Sequence, residues 1–208
     1  MPMKLRVNPN RMELLRLRRR LAIAKRGHKL LKDKQDALIK QFISLVRENR
    51  KLREELEKEI QKAYVNFLGA RAAMSSRSLE EALLLPGVKT YLKVSRINMM
   101  SVFVPKFDFK QEGNPVNYGF WQTSGELDIA LYNFVNLLPK LIRLAEIEKA
   151  VVLLADEIEK TRRRVNALEY VMIPQLEETI SYITMKLDEM ERATLTRLMK
   201  IKDIVRAH

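Results

Sequence analysis

Apolar residues recur at alternating spacings of three and four along the first third of the chain. Between residues 14 and 56 these spacings define one stripe, apolar except at three positions, which consists of Leu14, Leu17, Leu21, Ala24, His28, Leu31, Gln35, Leu38, Phe42, Leu45, Asn49, Leu52 and Leu56. A mean spacing of about 3.5 residues keeps a narrow stripe facing a partner helix and predicts a left-handed coiled coil. The step then lengthens to four, through Ile60, Ala63 and Phe67, which predicts a local unwinding. The pattern therefore predicts one long helix over residues 10–71.

Two signals mark the start of this helix, and the sequence leaves both open. In one reading Asn8 caps the helix and Pro9 takes its first position. In the other, Asn10 is the cap and Glu13 closes a pair that resembles a capping box. Either cap places the start of the helix within a few residues of position 10.

The chain from about Glu126 to its end carries a second helical pattern. Its stripe consists of Ile147, Val151, Leu154, Ile158, Thr161, Val165, Leu168, Met172, Leu176, Ile180, Ile183, Leu187, Met190, Thr194, Leu198, Ile201 and Val205. Pro139 precedes the stripe and predicts a bend there, with a short helix before the main arm. Pro174 interrupts the stripe, where the spacing stretches to successive fours. A proline inside a helix removes one backbone hydrogen bond, so Pro174 predicts a kink, and the stripe resumes on both sides of it.

The middle of the chain has a different pattern. Ser75–Ser78 predicts a break in the helix, and Leu79–Leu85 has room for one or two helical turns. Val88–Val104 and Val116–Trp121 are rich in β-branched and aromatic residues, whereas Asp108–Asn117 contains glycine and an Asn-Pro pair. Two strand-like stretches around a turn-rich segment predict a β-hairpin.

These elements predict a mainly α fold, a long antiparallel two-helix coiled coil with a small central insert of a β-hairpin and a short helix. The two arms contain 62 and 66 residues, so each would span roughly 90–100 Å at ~1.5 Å per residue. Each arm buries little alone and needs the other as its partner. The predicted division is residues 1–75 for the N-terminal long helix, 76–125 for the insert and 126–208 for the C-terminal long helix.

Composition narrows the function classes. The chain has no cysteine, which excludes disulfides and thiolate metal sites. No apolar run approaches the ~18 residues of a membrane span, and no signal peptide is evident, so we expect a cytoplasmic protein without direct membrane insertion. The net charge is +13, and residues 1–34 hold twelve Lys or Arg against two acidic side chains. This basic arm predicts an acidic or polyanionic partner.

No set of residues predicts catalysis, a cofactor site or a metal site. The two histidines are His28, on the stripe, and His208, at the terminus. The glycines are isolated, so there is no phosphate-binding loop. Together with Gln35 and Asn49, His28 is interpreted as a polar stripe position that fixes helix register; a contact from His28 to a neighbouring protein is the alternative.

Two further features allow two interpretations each. Gly27 lies inside a strong helical pattern, where glycine costs ~1 kcal/mol relative to alanine. It either permits the close approach of another backbone or is neutral. The run Arg162–Arg164 is either a solvated face or a docking patch for an acidic partner, and docking is favoured because the stripe directs these side chains outward.

Four segments, taken together, resemble a known family. They are Val7–Leu14, Arg26–Asp36, Glu157–Glu169 and Ile173–Ile180. In order and separation they are similar to the signature segments of the D subunits of V-type and A-type rotary ATPases. The resemblance covers both arms and thus essentially the whole chain, while the central hairpin is less distinctive.

The resemblance implies a non-catalytic rotor shaft in the central stalk. In that family the shaft couples ATP hydrolysis or synthesis in the head of A and B subunits to H⁺ or Na⁺ transport. It also binds the small F subunit and a funnel-like protein above the membrane ring. The residues expected to contact the head are Arg18, Arg19, Arg20, Arg26, His28, Lys29, Arg162, Arg163 and Arg164. Those expected at the F subunit or in a regulatory hairpin are Met99, Val102, Val104, Tyr118, Phe120 and Trp121.

Two other classes compete with this interpretation. A basic coiled-coil scaffold or nucleic-acid-binding protein fits the charge, but the basic arm contains no recognised nucleic-acid module, so we expect no nucleic-acid partner. Binding to non-specific duplex that survives ~0.2 M salt would favour that class. A stand-alone enzyme would show ATPase activity without other subunits.

Overall fold

A computed structural model describes residue 5, residues 7–121 and residues 123–206, so His208 lies outside the described residues. Its elements are helix α1 (Arg11–Ala73), helix α2 (Ser76–Leu83), strand β1 (Val88–Met99), strand β2 (Val102–Gly113), helix α3 (Gly125–Asn166), a π-helical segment (Ala167–Met172) and helix α4 (Ile173–Arg206). The mainly α fold with a small antiparallel sheet is therefore confirmed. The chain forms two compact units. The terminal unit combines residues 1–37 with 158–208, and the middle unit is 38–157.

The first turn of α1 decides between the two predicted caps. The backbone N–H of Glu13 donates to Oδ1 of Asn10 at 2.7 Å. The backbone N–H of Leu14 donates to the carbonyl oxygen of Asn10 at 3.1 Å. Asn10 is thus the capping residue, and α1 begins at Arg11.

The terminal unit confirms that the two arms pack in opposite directions. Leu17 and Ala24 of α1 share one apolar cluster with Leu176 and Ile183 of α4. Two ion pairs show the direction. Arg11 pairs with Glu191, while Lys25 Nζ lies 2.7 Å from Glu177 Oε1, so numbers rise along α1 as they fall along α4. Each fully buried Leu or Ile stabilises this pairing by about 1.5–3 kcal/mol.

The far end of α4 departs from the prediction. Leu198, Ile201 and Val205, placed on the stripe by the sequence, have exposed fractions of 56%, 55% and 70%. The reason is the length of the partner helix. Since α1 begins at Arg11 and Arg11 lies beside Glu191, α4 residues beyond position 191 have no turn of α1 to pack against. The periodicity continues there, but the predicted burial is wrong.

The helix continues through Pro174, as predicted, and the π-helical segment explains how. The N–H of Ile173 donates to the carbonyl of Leu168, five residues back. A π-turn accommodates one extra residue, which matches the stripe's spacing of successive fours and leaves Met172 38% exposed. The bend of the helix at Pro174 stays a prediction.

The middle unit packs the second part of α1 against the first part of α3. Leu56 and Ala63 share a buried cluster with Leu137. The ring of Phe134 meets the ring of Phe67 edge-on, with a centroid separation of 6.4 Å. Pro139 lies inside α3, which runs on to Asn166, so the separate short helix predicted before it is wrong.

The short helix of the insert begins earlier than predicted. Ser75 is its capping residue, and the N–H of Ser78 donates to the Ser75 hydroxyl oxygen at 3.2 Å. The predicted break is therefore present, at Met74 and Ser75, while Ser76 and Ser78 already lie within the first turn of α2. Serines favour a helix N-terminus because their hydroxyl groups satisfy its free N–H groups, and Ser75 has that role here.

The hairpin is confirmed, but its predicted strands and turn were misplaced. The turn consists of Met100 and Ser101, with φ angles of +52° and +72°. Two successive positive φ angles define the tight turn that fits strand twist, although glycine and asparagine usually occupy it. The segment around Gly113 therefore belongs to β2, and residues 116–121 form no strand.

Glycines close the base of the hairpin, where we expect a strong effect of substitution. Gly113 has a φ of +116°, and a Cβ atom there would overlap the carbonyl oxygen of Gly87. Gly113→Ala should lower the free energy of unfolding by about 2 kcal/mol, because both the backbone angle and the contact oppose a methyl group. Urea unfolding followed by circular dichroism measures it.

The matched control is Gly119→Ala, since nothing lies within 4 Å of a Cβ atom at that position. We expect the free energy of unfolding of this variant to stay within about 0.5 kcal/mol of that of the parent chain. Equal stability of the two variants would contradict the role assigned to Gly113.

Candidate partner-binding surfaces

The basic arm forms an exposed surface on α1 in the terminal unit. Leu17 and Leu21 pack against the apolar cluster, so the intervening Arg18, Arg19 and Arg20 project into solvent. We call the exposed set the basic arm surface; it consists of Arg18, Arg19, Arg20, Arg26 and Lys29. Within the described chain, no salt bridge involves any of its members. These cations are therefore available to an acidic partner.

Exposed apolar residues lie among these arginines, and the predicted site residues did not include them. Met12, Leu15, Ile23 and Leu30 have exposed fractions of 79%, 54%, 69% and 69%. Met12, Leu15 and Ile23 line an open groove on α1, and Arg16 lines it with them. A second apolar stripe beside the first was the sequence signal for them. A surface with both charge and apolar area suits a protein partner better than a polyanion.

His28 contacts the other arm of the terminal unit. Its Nε2 lies 3.3 Å from Oε2 of Glu169, and the residue is half-buried on the stripe. Gly27, the preceding residue, has nothing within 4 Å of a Cβ position. No described part of the chain thus requires glycine there, and the predicted approach of another backbone would have to come from a partner.

The three arginines of α3 are separate from the basic arm surface. Arg162, Arg163 and Arg164 are all exposed, and Arg163 pairs with Glu159 one turn earlier. Since Lys25 pairs with Glu177 and His28 with Glu169, these arginines lie beyond His28, away from residues 18–20. The basic residues predicted to contact the head thus form two patches.

The residues assigned to register occupy stripe positions. Gln35 in the terminal unit and Asn49 in the middle unit are both half-buried, as expected for polar positions in a coiled coil. Their part in fixing register stays a prediction.

Thr161 and Thr179 are buried polar residues, each 1% exposed, and the Thr179 hydroxyl oxygen accepts the N–H of Leu5 at 3.2 Å.

The residues predicted for the hairpin differ in their exposure. Val102 and Val104 are buried at 8% and 6%, and Met99 is half-buried. Phe120 and Trp121, in contrast, are 74% and 95% exposed. The exposed aromatic pair is therefore free to meet a partner, whereas the two valines pack within the unit.

Tyr118 helps to hold the segment that carries those aromatic residues. Its hydroxyl donates to Oδ1 of Asp128 at 2.5 Å. Burial, and then this hydrogen bond, raise the pKa of Tyr118 above its ordinary value.

Leu84 and Leu85, just after α2, are 77% and 69% exposed and were not predicted as surface residues. A leucine run at a helix end gave no signal that distinguished a buried from an exposed position.

Neither a metal centre nor a membrane span is found in the described parts of the chain. No group of three or more His, Asp or Glu side chains there is placed to hold a metal ion. No described helix combines the length and the apolar character needed to cross a bilayer.

Comparison with known proteins identifies the family. The family model for the D subunit of ATP synthase matches residues 13–203. The D subunit of a V-type ATP synthase from Thermoanaerobacter sp. (strain X514) is 58% identical over 201 residues, covering 96% of each chain. That of Acetivibrio thermocellus is 58% identical over 205 residues, covering 97% of this chain and 92% of its own. The D subunit of Clostridium botulinum (strain ATCC 19397 / Type A) is 56% identical over 208 residues, which cover 98% of this chain and 96% of that subunit. The chain therefore belongs to the ATP synthase D-subunit family, whose members are central-stalk components of the V-type rotary ATPases.

Proposed function

We propose that this chain is the non-catalytic rotor shaft of its complex and carries torque between the ATP-processing head and the ion-transporting membrane sector. The observation that supports this most is the antiparallel packing of the two arms in the terminal unit, with Lys25 beside Glu177 and Leu17 in one cluster with Ile183. A paired helix resists bending and twisting better than a single one. The uninterrupted 63-residue helix α1 adds to that stiffness.

The proposed head partners are the A and B subunits. The basic arm surface meets acidic groups of the head, and the neighbouring Met12, Leu15 and Ile23 supply apolar contact. Because the exposed arginines are gathered in patches, at Arg18–Arg20 and at Arg162–Arg164, the surface of the terminal unit is not uniformly charged. As it turns, each A/B pair would meet a different surface, and the three catalytic sites would be biased toward different states.

The other proposed partners are the small F subunit and the funnel-like protein above the membrane ring. We place the F contact at the exposed members of the predicted set, above all Phe120 and Trp121. The funnel-like protein joins the shaft to the membrane ring, so the chain is peripheral to the membrane on its cytoplasmic side. These assignments involve neither nucleic acid nor direct insertion into the bilayer.

Reconstitution tests the proposal. The purified chain should show no ATPase activity alone, should co-purify with A, B and F subunits, and should change the ATPase rate of an A/B head when added. ATP hydrolysis by the isolated chain would contradict the non-catalytic role. Failure to co-purify with the head would contradict the proposed partners.

A further inference from the structure

The hairpin turn determines which backbone groups of β1 face outward. Met99 pairs with Val102 across the two-residue turn. In a hairpin of this type the closing pair exchanges hydrogen bonds, and bonded and non-bonded pairs then alternate along the strands. The backbone groups on the outer edge of β1 therefore belong to Thr90, Leu92, Val94, Arg96 and Asn98.

The outer edge of β2 is interrupted at its centre. Pro105, which pairs with Arg96, has no N–H to offer. The N–H of Phe107, which also faces outward, donates to Oε2 of Glu146 on α3 at 3.1 Å. Arg143 supports that carboxylate at 2.7 Å and reaches Glu48 of α1 at 3.3 Å. A proline and an α3 carboxylate thus occupy the places that an added strand would need on this side.

The outer edge of β1 is open. The outward N–H groups of Leu92, Val94 and Arg96 have no hydrogen-bond partner within the described chain, and all three residues are exposed. The strand is 12 residues long and forms the free side of a two-stranded sheet. An edge of this length is a template for strand pairing unless something covers it.

The side chains beside this edge indicate what would pair with it. On one face Leu92, Val94 and Phe103 are 52%, 59% and 65% exposed. The other face of β1 carries Lys89 and Lys93, whereas Arg96 lies on the same face as Leu92 and Val94, and the strand has no acidic residue. An incoming strand that alternates apolar and acidic side chains would match both faces. A second copy of β1 would instead bring three more cations and no acidic side chain to this edge, so it offers no charge complement.

From this asymmetry we propose that β1 binds an extended, acidic segment of a partner protein as a third strand of the sheet. Backbone hydrogen bonds at Leu92, Val94 and Arg96 would supply affinity, and the apolar and basic faces would supply selectivity. The proposal rests on the incorporation of the chain into its ATPase complex and is independent of its role as the shaft.

Hydrogen exchange at single residues tests this in the assembled complex. Relative to the isolated full-length chain, the outward amides of Leu92, Val94 and Arg96 should exchange at least about tenfold more slowly in the complex. The inward amides of Lys93 and Ser95 are bonded in both states and serve as the internal reference. Unchanged exchange at the three outward amides would overturn the proposal.

A pair of variants separates strand addition from simple coverage by a neighbour. Val94→Pro removes one outward N–H, and Pro105 shows that the hairpin already accommodates proline at a non-bonded position. Val94→Ala shortens the same side chain but keeps the N–H. We expect Val94→Pro to abolish the slowed exchange at Leu92 and Arg96, and Val94→Ala to keep most of it. Protection that survives the proline would overturn strand addition, while the reconstituted ATPase assay reports separately on the shaft role.

Discussion

Replacing Ile183 with aspartate should separate the two arms of the terminal unit. Ile183 has an exposed fraction of 0% and lies in the cluster with Leu17, Ala24 and Leu176. A carboxylate there would lose its hydration without gaining a cationic partner, which costs several kcal/mol. We expect the free energy of unfolding to fall by at least about 3 kcal/mol, measured by urea unfolding with far-ultraviolet circular dichroism.

Ile201→Asp is the matched control, with the same chemical change on the same helix. Ile201 is 55% exposed and lies beyond the end of the pairing with α1. Its replacement should change stability by no more than about 0.5 kcal/mol. If both variants were equally stable, the packing of α4 against α1 would not be the source of stability in this unit.

Replacing Arg18, Arg19 and Arg20 together with glutamine should weaken binding to the A/B head by roughly 50-fold at low salt. The three guanidinium groups are exposed and take part in no salt bridge with the described residues, so the substitution removes charge and spares the apolar cluster. Charges at the rim of an interface act mainly on association and are screened by salt. The loss should therefore shrink as ionic strength rises, which titration calorimetry or interferometry at several salt concentrations measures.

A second triple variant keeps the change in charge the same. Lys51, Lys58 and Lys62 are residues of α1 in the middle unit, outside the patches assigned to the head. Replacing all three with glutamine should leave head affinity within about threefold, since only long-range attraction is reduced. Equal losses in both variants would mean that total charge, and not the basic arm surface, governs binding to the head.

The helical pairing was predictable because it follows from periodicity. All thirteen stripe positions between Leu14 and Leu56 are buried or half-buried, since a spacing near 3.5 keeps them on one side of α1. The capping choice at Asn10 was open because both asparagines fit the sequence rule. Only the position of the Glu13 N–H, 2.7 Å from Asn10 Oδ1, decided it.

The hairpin turn and the end of α4 were not predictable from local patterns. Met100 and Ser101 adopt positive φ angles although neither is glycine or asparagine, so the usual sequence signal for this turn is missing. The Asn114-Pro115 pair does carry a turn signal, and the turn was therefore predicted there, which is wrong. Ile201 keeps helical spacing, but its exposure depends on where the other helix begins. Periodicity describes one helix and does not include the length of its neighbour.

The candidate surfaces were predictable in part for a similar reason. Charge indicated the basic arm, and the arginines there are exposed as expected. Val102 and Val104 are apolar, which is equally typical of a packed residue and of a binding residue, and here they are packed. The open edge of β1 depends on strand register and on the contact of Glu146 with Phe107, neither of which is visible in the sequence.

Rotation of single complexes tests the shaft role most directly. The chain has no cysteine, so Glu55→Cys, at an exposed position of α1 outside the proposed binding surfaces, gives the proposed shaft one attachment point for a bead. The complex is fixed through its head, with other reactive cysteines removed. We expect the bead to turn in one direction when ATP is supplied and to stop when ATP is withdrawn. A bead that stays still while the same complexes hydrolyse ATP would contradict the rotor role.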